Sequence, residues 1–229
     1  MNNEFQSDYC LRGRRWGGAA EVPPLPRGAI VLETGCGNGK SLHALLSHGV
    51  KAFGVDISYE AVRLAGSADA AAADIRRLPF KDGVFDAVFC RHVLGHLFED
   101  DRCAAAAELL RVLKPGGTLY FAGFGVDDFR FGKGTESEPH SYLRGDGIMT
   151  HYFTEDEVLE CFSGVSSADV FEKRWMLRVR GVEYPRCEVC GVFVKKAGWL
   201  VWSGDVLQKD IFRENKITNI YGRIPEYQI

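Results

Sequence analysis

A glycine-rich segment at residues 33–39 carries the residue types best suited to binding chemistry. Its sequence is Glu-Thr-Gly-Cys-Gly-Asn-Gly, so glycines stand at every second position from 35 to 39. Glycines allow a tight turn and a close approach of the backbone to a ligand. The carboxylate of Glu33 precedes them, and it repels a pyrophosphate but suits an ammonium or sulfonium group. The segment therefore predicts a loop that binds a ligand with a positively charged part.

A second acid lies where an adenosine-containing cofactor needs one. Asp56 follows Gly35 by 21 residues, at the end of an apolar stretch. A carboxylate at that place in an open α/β sheet can accept hydrogen bonds from both hydroxyl groups of a ribose. Nicotinamide-dependent oxidoreductases use the same acid, but their pattern G-x-G-x-x-G needs a third glycine where this chain has Lys40. Together with Glu33, this difference argues against a dinucleotide.

Hydrophobic patterns predict the elements that position these residues. Continuous apolar runs alternate along the chain with segments of helical spacing. The predicted strands are 29–33, 51–58, 72–75, 84–90 and 118–124, and the predicted helices are 40–49, 59–66 and a segment from Asp100 or Asp101 to 113. Ser58 is the expected N-cap of the second helix. Such alternation predicts an α/β fold with a doubly wound, Rossmann-like, mostly parallel sheet.

Different patterns flank this sheet. Residues 1–28 are interpreted as an N-terminal arm, because charges, glycines and the proline-rich EVPPLPRG, which forbids a helix there, precede any periodic pattern. Residues 125–150 show neither strand nor helix periodicity, which indicates an inserted lid or binding loop. The main domain is expected to cover 29–202, with a C-terminal tail at 203–229.

The C-terminal part of this domain is predicted to add a helix and a hairpin. Thr154 and Glu157 form the pattern of a capping box ahead of an apolar run. Two extended segments follow at 171–181 and 190–198, joined by VEYPRCEV. They predict an antiparallel hairpin at the edge of the sheet.

Five motifs, in their order along the chain, resemble those of the class I S-adenosylmethionine-dependent methyltransferases. They are ETGCGNGKS, GVDIS, ADIRRLPF, FDAVFCRHVLGHL and RVLKPGG, and the resemblance covers residues 29–124. It implies a seven-stranded sheet whose last strand is antiparallel, S-adenosylmethionine as the cofactor, and methyl transfer as the activity.

The resemblance also implies a set of cofactor-binding residues. Glu33, Gly35, Cys36, Gly37 and Asn38 would surround the methionine part, Asp56 would hold the ribose, Ile57 would pack on the adenine, Asp74 would accept from the adenine amino group with Ile75 beside it, and Cys90, Arg91 and His92 would line the methionine end. Cys36 is interpreted as a small side chain in a tight space and not as a nucleophile.

His92 and His96 are the candidates for a general base. They stand one helical turn apart after the predicted fourth strand, at the carboxyl edge where ligands bind in open α/β sheets. We take His92 as the candidate catalytic residue. The alternative is that either histidine only caps or packs there, since methyl transfer from a sulfonium needs a base only when the acceptor carries a proton.

The composition of the chain favours one class of acceptor and one cellular compartment. The net charge of −3 provides no broad cationic field, which disfavours nucleic acid as a partner and favours a small-molecule acceptor. An odd number of cysteines, seven, predicts reduced thiols and a cytoplasmic location, and no apolar run is long enough to span a membrane. The pair Cys187 and Cys190 has no second pair to complete a zinc site, so no metal is predicted.

Other functions stay open at this stage. An RNA or protein methyltransferase would share the whole cofactor site, and so would a protein that binds S-adenosylmethionine without turnover. A nicotinamide-dependent oxidoreductase is the least favoured. The sequence makes no prediction of the oligomeric state.

Overall fold

The computed structural model describes residues 3–13, 20–145 and 147–197 of the chain. Its strands are β1 (Ile30–Thr34), β2 (Lys51–Asp56), β3 (Ala70–Ala72), β4 (Phe85–Arg91), β5 (Leu113–Phe124), β6 (Thr135–Glu138), β7 (Ser141–Leu143), β8 (Met149–His151), β9 (Val165–Val179) and β10 (Val182–Lys195). Its helices are α1 (Asn3–Arg12), α2 (Lys40–Ser47), α3 (Tyr59–Ala65), α4 (Glu99–Val112) and α5 (Glu155–Cys161), with a 3-10 turn at Leu94–His96. Within these ranges, no helix has the length and apolar character needed to cross a bilayer. The predicted tail at 203–229 lies outside the described residues.

Seven strands form one sheet in the order β3-β2-β1-β4-β5-β10-β9. The first five run parallel, whereas β10 is antiparallel to both β5 and β9. This confirms the predicted mostly parallel, seven-stranded sheet with an antiparallel terminal hairpin. The chain order reverses at β1, between β2 and β4, and ligands of open α/β sheets bind at the carboxyl ends of the strands on either side of such a point.

The sheet is buried on both faces, which explains the continuous apolar run of β1. Leu32 packs with Val88 and Leu109 in one core cluster, while its neighbour Val31 packs with Leu42 of α2 in the other. Successive side chains of a strand point to opposite faces, so a strand covered on both sides needs apolar residues at every position.

The predicted helix starts are confirmed at two places. The Ser58 hydroxyl accepts a hydrogen bond from the Ala61 N–H at the start of α3. At α5, Thr154 Oγ1 accepts from the Glu157 N–H, and the Glu157 carboxylate accepts from the Thr154 N–H. Each cap satisfies N–H groups that have no partner inside the helix.

Several strand predictions are wrong in their bounds. The fifth strand begins at Leu113 and not at 118, so the predicted turn at 114–117 lies within β5. The third strand is Ala70–Ala72 and not 72–75, because the Asp74 carboxylate accepts from the Arg76 N–H and turns the chain. The hairpin strands are longer than predicted, and only Arg180 and Gly181 connect them, both with positive φ. VEYPRCEV therefore belongs to β10 and does not form a connection.

Two segments that we interpreted as irregular contain secondary structure. Helix α1 forms within the N-terminal arm, ahead of the prolines, which themselves lie outside any helix as expected. The segment 125–150 contains three short strands in an antiparallel sheet of order β6-β7-β8. Short polar strands lack the apolar alternation by which a strand is recognised in sequence.

Candidate functional site

The glycine loop between β1 and α2 has the backbone that its sequence predicted. Gly35, Gly37 and Gly39 all have positive φ, at 64°, 53° and 82°. A Cβ atom on Gly35 would lie 2.3 Å from Val93 Cγ2, and one on Gly37 would lie 2.6 Å from Tyr9 Oη. The loop therefore needs glycine both for its conformation and for its space.

Asp56 holds this loop against the end of β2. Its Oδ2 accepts from the Gly37 N–H and its Oδ1 from the Ser58 N–H, both at 2.9 Å. Burial raises the pKa of Asp56, and these hydrogen bonds act in the opposite direction. Each carboxylate oxygen can accept a further hydrogen bond, so the side chain can serve the loop and a ribose together.

Glu33 is a buried acid with an unsatisfied oxygen. Glu33 lies near the end of β1 and is 3% exposed. Its Oε2 has no hydrogen-bond partner among the described residues. Burial raises the pKa of Glu33 to about 7, against the positive charge of Arg91 and a hydrogen bond from Ser41. A cation placed at Oε2 would restore the ionised form and satisfy the oxygen.

The two cysteines of the predicted site are unreactive thiols. Burial raises the pKa of Cys36 to about 12, with the acids Asp56 and Glu33 adding to the effect. Burial raises the pKa of Cys90, at the end of β4, to about 12 as well. A neutral thiol is a poor nucleophile, which agrees with a packing role for Cys36.

His92 follows β4 and forms a pair with an acid that the sequence did not predict. Its Nε2 lies 3.2 Å from Oε1 of Glu188 on β10. The ring packs on Phe124 at 4.4 Å between centroids, and Nδ1 is buried with no partner in the described part of the chain. His92 also has φ of 57°, which is uncommon for a residue with a side chain and often marks a functional position.

His96 makes a different kind of contact. Its Nδ1 lies 2.7 Å from the carbonyl oxygen of Met149 in β8, and its ring meets Phe5 of α1 edge to face. The ring therefore ties the inserted sheet to the segment after β4, which favours the packing alternative for this histidine.

The chain is similar to known methyltransferases in both sequence and structure. Residues 32–121 match the methyltransferase domain family. O-methyltransferase 3 of Dictyostelium discoideum is 34% identical over 191 residues, which cover 72% of this chain and 43% of that protein. The tRNA N(3)-methylcytidine methyltransferase Mettl2 of Drosophila melanogaster is 28% identical over 192 residues, 73% of this chain and 58% of that protein. Among solved structures, a SAM-dependent methyltransferase from Methanosarcina mazei is similar with a TM-score of 0.62 and 25% identity, over 77% of this chain and 99% of that one.

The chain belongs to the class I S-adenosylmethionine-dependent methyltransferases. It spans about half the length of the curated relatives it matches. The resemblance stated from the five motifs is thereby confirmed, as is S-adenosylmethionine as the cofactor.

The methyltransferase site fits that cofactor at its methionine end. S-adenosylmethionine carries an ammonium group, which suits the unsatisfied carboxylate of Glu33. Arg91 stacks on the Phe89 ring at 4.7 Å and donates to the carbonyl oxygen of Glu21, so it is held beside the same edge. Asn38 is buried within the loop. Binding by these residues stays a prediction, supported by their meeting at one place.

The predicted adenine side is less open for binding. Ile75 is buried and Ile57 half-buried. Asp74 already binds the Arg76 guanidinium through both oxygens, with Nη2 at 2.6 Å from Oδ2, and this hydrogen bond holds the pKa of Asp74 below its usual value. An adenine amino group at Asp74 would share the carboxylate with Arg76, so its predicted role stays a prediction.

Sequence reasoning missed the contribution of α1. Gln6 Oε1 accepts from the Ser58 hydroxyl at 2.9 Å and from the Glu60 N–H at 3.1 Å. Tyr9 is 6% exposed and places its hydroxyl beside Gly37. The helix thus covers the glycine loop and the end of β2. The largely polar sequence of this helix gave no signal of this contact.

The two cysteines of the C-x-x-C pair lie on opposite faces of the sheet. Cys187 and Cys190 both lie in β10, three residues apart, so their side chains point to opposite faces of the sheet. They cannot bind one ion together. Among the described residues, no group of three or more potential ligands is arranged for a metal.

Proposed function

We propose that this methyltransferase transfers the methyl group of S-adenosylmethionine to a small-molecule acceptor at the carboxyl edge of the sheet, beside His92. The observation that carries the proposal is the location of the buried polar side-chain atoms without a partner. In the described part of the chain these are Glu33 Oε2, His92 Nδ1 and Tyr152 Oη. Glu33 lies near the end of β1, and His92 follows the neighbouring strand β4. The Phe124 ring, at the end of β5, packs on His92 and lies 6.4 Å from the ring of Tyr152.

Unpaired buried polar groups cost about 1–3 kcal/mol each, and native proteins keep few of them. Three on residues that meet at one sheet edge indicate a place where ligands supply the missing partners. Glu33 would take the cofactor's ammonium group, and Asp56 its ribose. When bound, S-adenosylmethionine supplies a methyl group activated by a positively charged sulfur.

His92 would remove a proton from the acceptor. The Glu188 carboxylate accepts from Nε2–H, and this fixes the tautomer in which Nδ1 carries the lone pair. Burial acts to raise the pKa of Glu188, but the hydrogen bond from His92 and the positive charges of Lys173 and Arg186 hold it below its usual value. An ionised Glu188 stabilises the imidazolium that forms when Nδ1 takes a proton.

A small acceptor is favoured over a macromolecule by two observations. The net charge of −3 leaves no excess of cations for a phosphate backbone. The 2-methyl-6-phytyl-1,4-hydroquinone methyltransferase of Synechocystis sp., whose name gives a small-molecule acceptor, is 37% identical over 131 residues, against 28% over 192 residues for the tRNA methyltransferase of Drosophila melanogaster. The seven cysteines are all free thiols, which supports the proposed cytoplasmic location.

A tRNA cytidine is the second candidate acceptor. The match to Mettl2 runs over 192 residues, about twice the length of the family match at 32–121, so it extends well beyond the cofactor-binding motifs. Several further relatives that match more than half of this chain are named as tRNA N(3)-cytidine methyltransferases. The expectation against nucleic acid rested on net charge alone, and a local basic surface would satisfy an RNA without changing it.

Two measurements test this proposal in sequence. Titration calorimetry with S-adenosylhomocysteine, with NADH in a parallel run, should show saturable binding of the former alone. The protein is then incubated with methyl-labelled S-adenosylmethionine and an extract of the organism that encodes it, and the label is followed into small-molecule, RNA and protein fractions. Label in the small-molecule fraction supports the proposal, and label in RNA selects the second candidate. Cofactor binding without label in any fraction would indicate a binding protein without turnover.

A further inference from the structure

Beyond His92, the acceptor side of the sheet edge contains a carboxylate shared by two arginines. Asp128, in the segment after β5, has a side chain with 0% exposure. Its Oδ1 accepts from Arg130 Nε at 2.7 Å, and its Oδ2 accepts from Arg186 Nε at 2.6 Å. Arg130 belongs to the inserted segment and Arg186 to β10, so the cluster joins two parts of the chain.

The Asp128 carboxylate accepts a full set of hydrogen bonds, whereas the guanidinium groups of Arg130 and Arg186 have N–H groups left to donate. Asp128 also accepts from Arg130 Nη2 and from the backbone N–H groups of Arg130 and Cys187. Nη1 of Arg130 and both Nη atoms of Arg186 have no acceptor among the described residues. These nitrogens are not among the buried atoms without a partner, so they reach accessible space.

Aromatic rings hold the two arginines beside the proposed base. The Arg130 guanidinium lies 3.8 Å from the centre of the Phe124 ring, the same ring on which His92 packs. Arg186 lies 5.3 Å from that ring and 5.2 Å from Trp175. Rings fix the direction of a guanidinium plane while its edge remains free to bind an anion. The ring of Tyr152 also lies near Phe124, and its buried hydroxyl has no hydrogen-bond partner among the described residues.

We propose that Arg130 and Arg186, aligned by Asp128, form an anion-binding subsite that recognises a carboxylate or phosphate group of the acceptor. The free Nη atoms offer the paired donors that planar anions accept in a bidentate manner. Glu188 also lies within electrostatic range of Arg186, and it is engaged with His92. The acceptor is therefore an acidic molecule whose anionic group lies one aromatic ring away from the proton that His92 removes. This inference rests on the proposed function, because the subsite belongs to the acceptor side of the same site.

The test uses the full chain saturated with S-adenosylhomocysteine and three probes. Benzoate, its neutral counterpart benzamide, and inorganic phosphate are titrated separately by calorimetry. The variants are Arg186→Gln and Arg130→Gln, each of which leaves Asp128 with one arginine, and Arg186→Lys, which keeps the charge without the fork. Arg174→Gln is the control, because Arg174 is exposed on β9 and binds Asp127 and Glu172 outside the cluster.

We expect an anion to bind at least about tenfold more tightly than benzamide, and Arg186→Gln and Arg130→Gln to weaken that binding by about tenfold each. Arg186→Lys should give an intermediate affinity, and Arg174→Gln should bind as the wild type. Binding of benzoate alone identifies a carboxylate, and binding of phosphate alone a phosphorylated acceptor. Equal binding of benzoate and benzamide, no binding of either anion, or wild-type affinity in Arg186→Gln would overturn the inference.

The same titrations separate this inference from the proposed function. S-adenosylhomocysteine affinity and the thermal unfolding midpoint are measured for every variant before the probes are added. Loss of cofactor binding in the wild type would contradict the proposed function itself. Normal cofactor binding without anion binding would contradict only the subsite.

Discussion

Glu188 Oε1 lies 3.2 Å from His92 Nε2, although the two residues are 96 positions apart in the sequence. Insertion of β10 between β5 and β9 brings the acid to the end of β4. The pair orients an imidazole at the carboxyl edge of the sheet, as a carboxylate does for the histidine of a catalytic triad. Several measurable consequences follow from this contact and from the loop beside it.

Replacing the acid should impair turnover more than cofactor binding. Glu188→Gln removes the charge that stabilises the imidazolium. We expect kcat to fall by about 10–100-fold, which is less than the roughly 10²–10⁴-fold that a general base contributes as a whole. Affinity for S-adenosylhomocysteine should stay within about twofold. Glu183→Gln, an exposed position on the same strand, is the control. A wild-type kcat in Glu188→Gln would contradict the role of this acid beside His92.

The ribose assignment of Asp56 is tested by its removal. Asp56→Ala would remove the predicted hydrogen bonds to a bound ribose and the hydrogen bond that Asp56 accepts from the Gly37 N–H. The substitution should weaken binding of S-adenosylhomocysteine by about 1–3 kcal/mol in calorimetry. Asp69→Ala, an exposed acid shortly after α3, should bind as the wild type. Equal affinities for the two variants would contradict the assignment.

Alanine substitutions at Gly37 and Gly66 distinguish the effect of backbone strain from that of steric hindrance in the glycine loop. Both have positive φ, at 53° and 60°, so alanine at either should lower the free energy of unfolding by about 1 kcal/mol. Only at Gly37 would the new Cβ meet another group, Tyr9 Oη, since nothing lies within 4 Å at Gly66. We expect Gly37→Ala to lose at least about tenfold in cofactor affinity and Gly66→Ala to keep it. Similar affinities in both variants would show that the loop tolerates a side chain at the ligand.

The buried acid of β1 predicts a pH dependence. Burial raises the pKa of Glu33 from 4.5 to about 7 in the folded protein. A raised pKa means that the folded state binds the proton more tightly than the unfolded state. Proton binding by Glu33 therefore stabilises the folded protein fully below pH 4.5, and this contribution to the free energy of unfolding is lost as the pH rises through 7. Glu33→Gln mimics the protonated form and should therefore make the cofactor-free protein less sensitive to pH between 5 and 8, by about 1–3 kcal/mol in urea unfolding. Identical pH slopes for variant and wild type would contradict the raised pKa.

The same substitution predicts the opposite trend for cofactor binding. An ammonium group is attracted to the ionised carboxylate, so the wild-type affinity for S-adenosylhomocysteine should rise between pH 6 and 8. Glu33→Gln should bind more weakly and lose this rise. Calorimetry at three pH values in this window measures both effects.

The sequence by itself determined the cofactor half of this protein. Glycines at 35, 37 and 39, the acids Glu33 and Asp56, and the strand–helix alternation are local patterns. Positive φ angles, helix caps and apolar periodicity act over a few residues, so they can be recognised without knowing what packs against them. The misplaced third strand is the limit of such reasoning, because a single side-chain hydrogen bond from the Arg76 N–H to Asp74 ended the strand early.

The tertiary structure alone decided the long-range contacts, both on the proposed acceptor side and around the glycine loop. Glu188 beside His92, α1 over the glycine loop, and Arg130 and Arg186 around Asp128 each join segments that are distant in the chain. Which strands pair, and in which register, is set by the packing of the whole sheet and not by any local pattern. The residues predicted to bind the cofactor therefore lie in short motifs, whereas those of the proposed acceptor side come together only once the chain has folded.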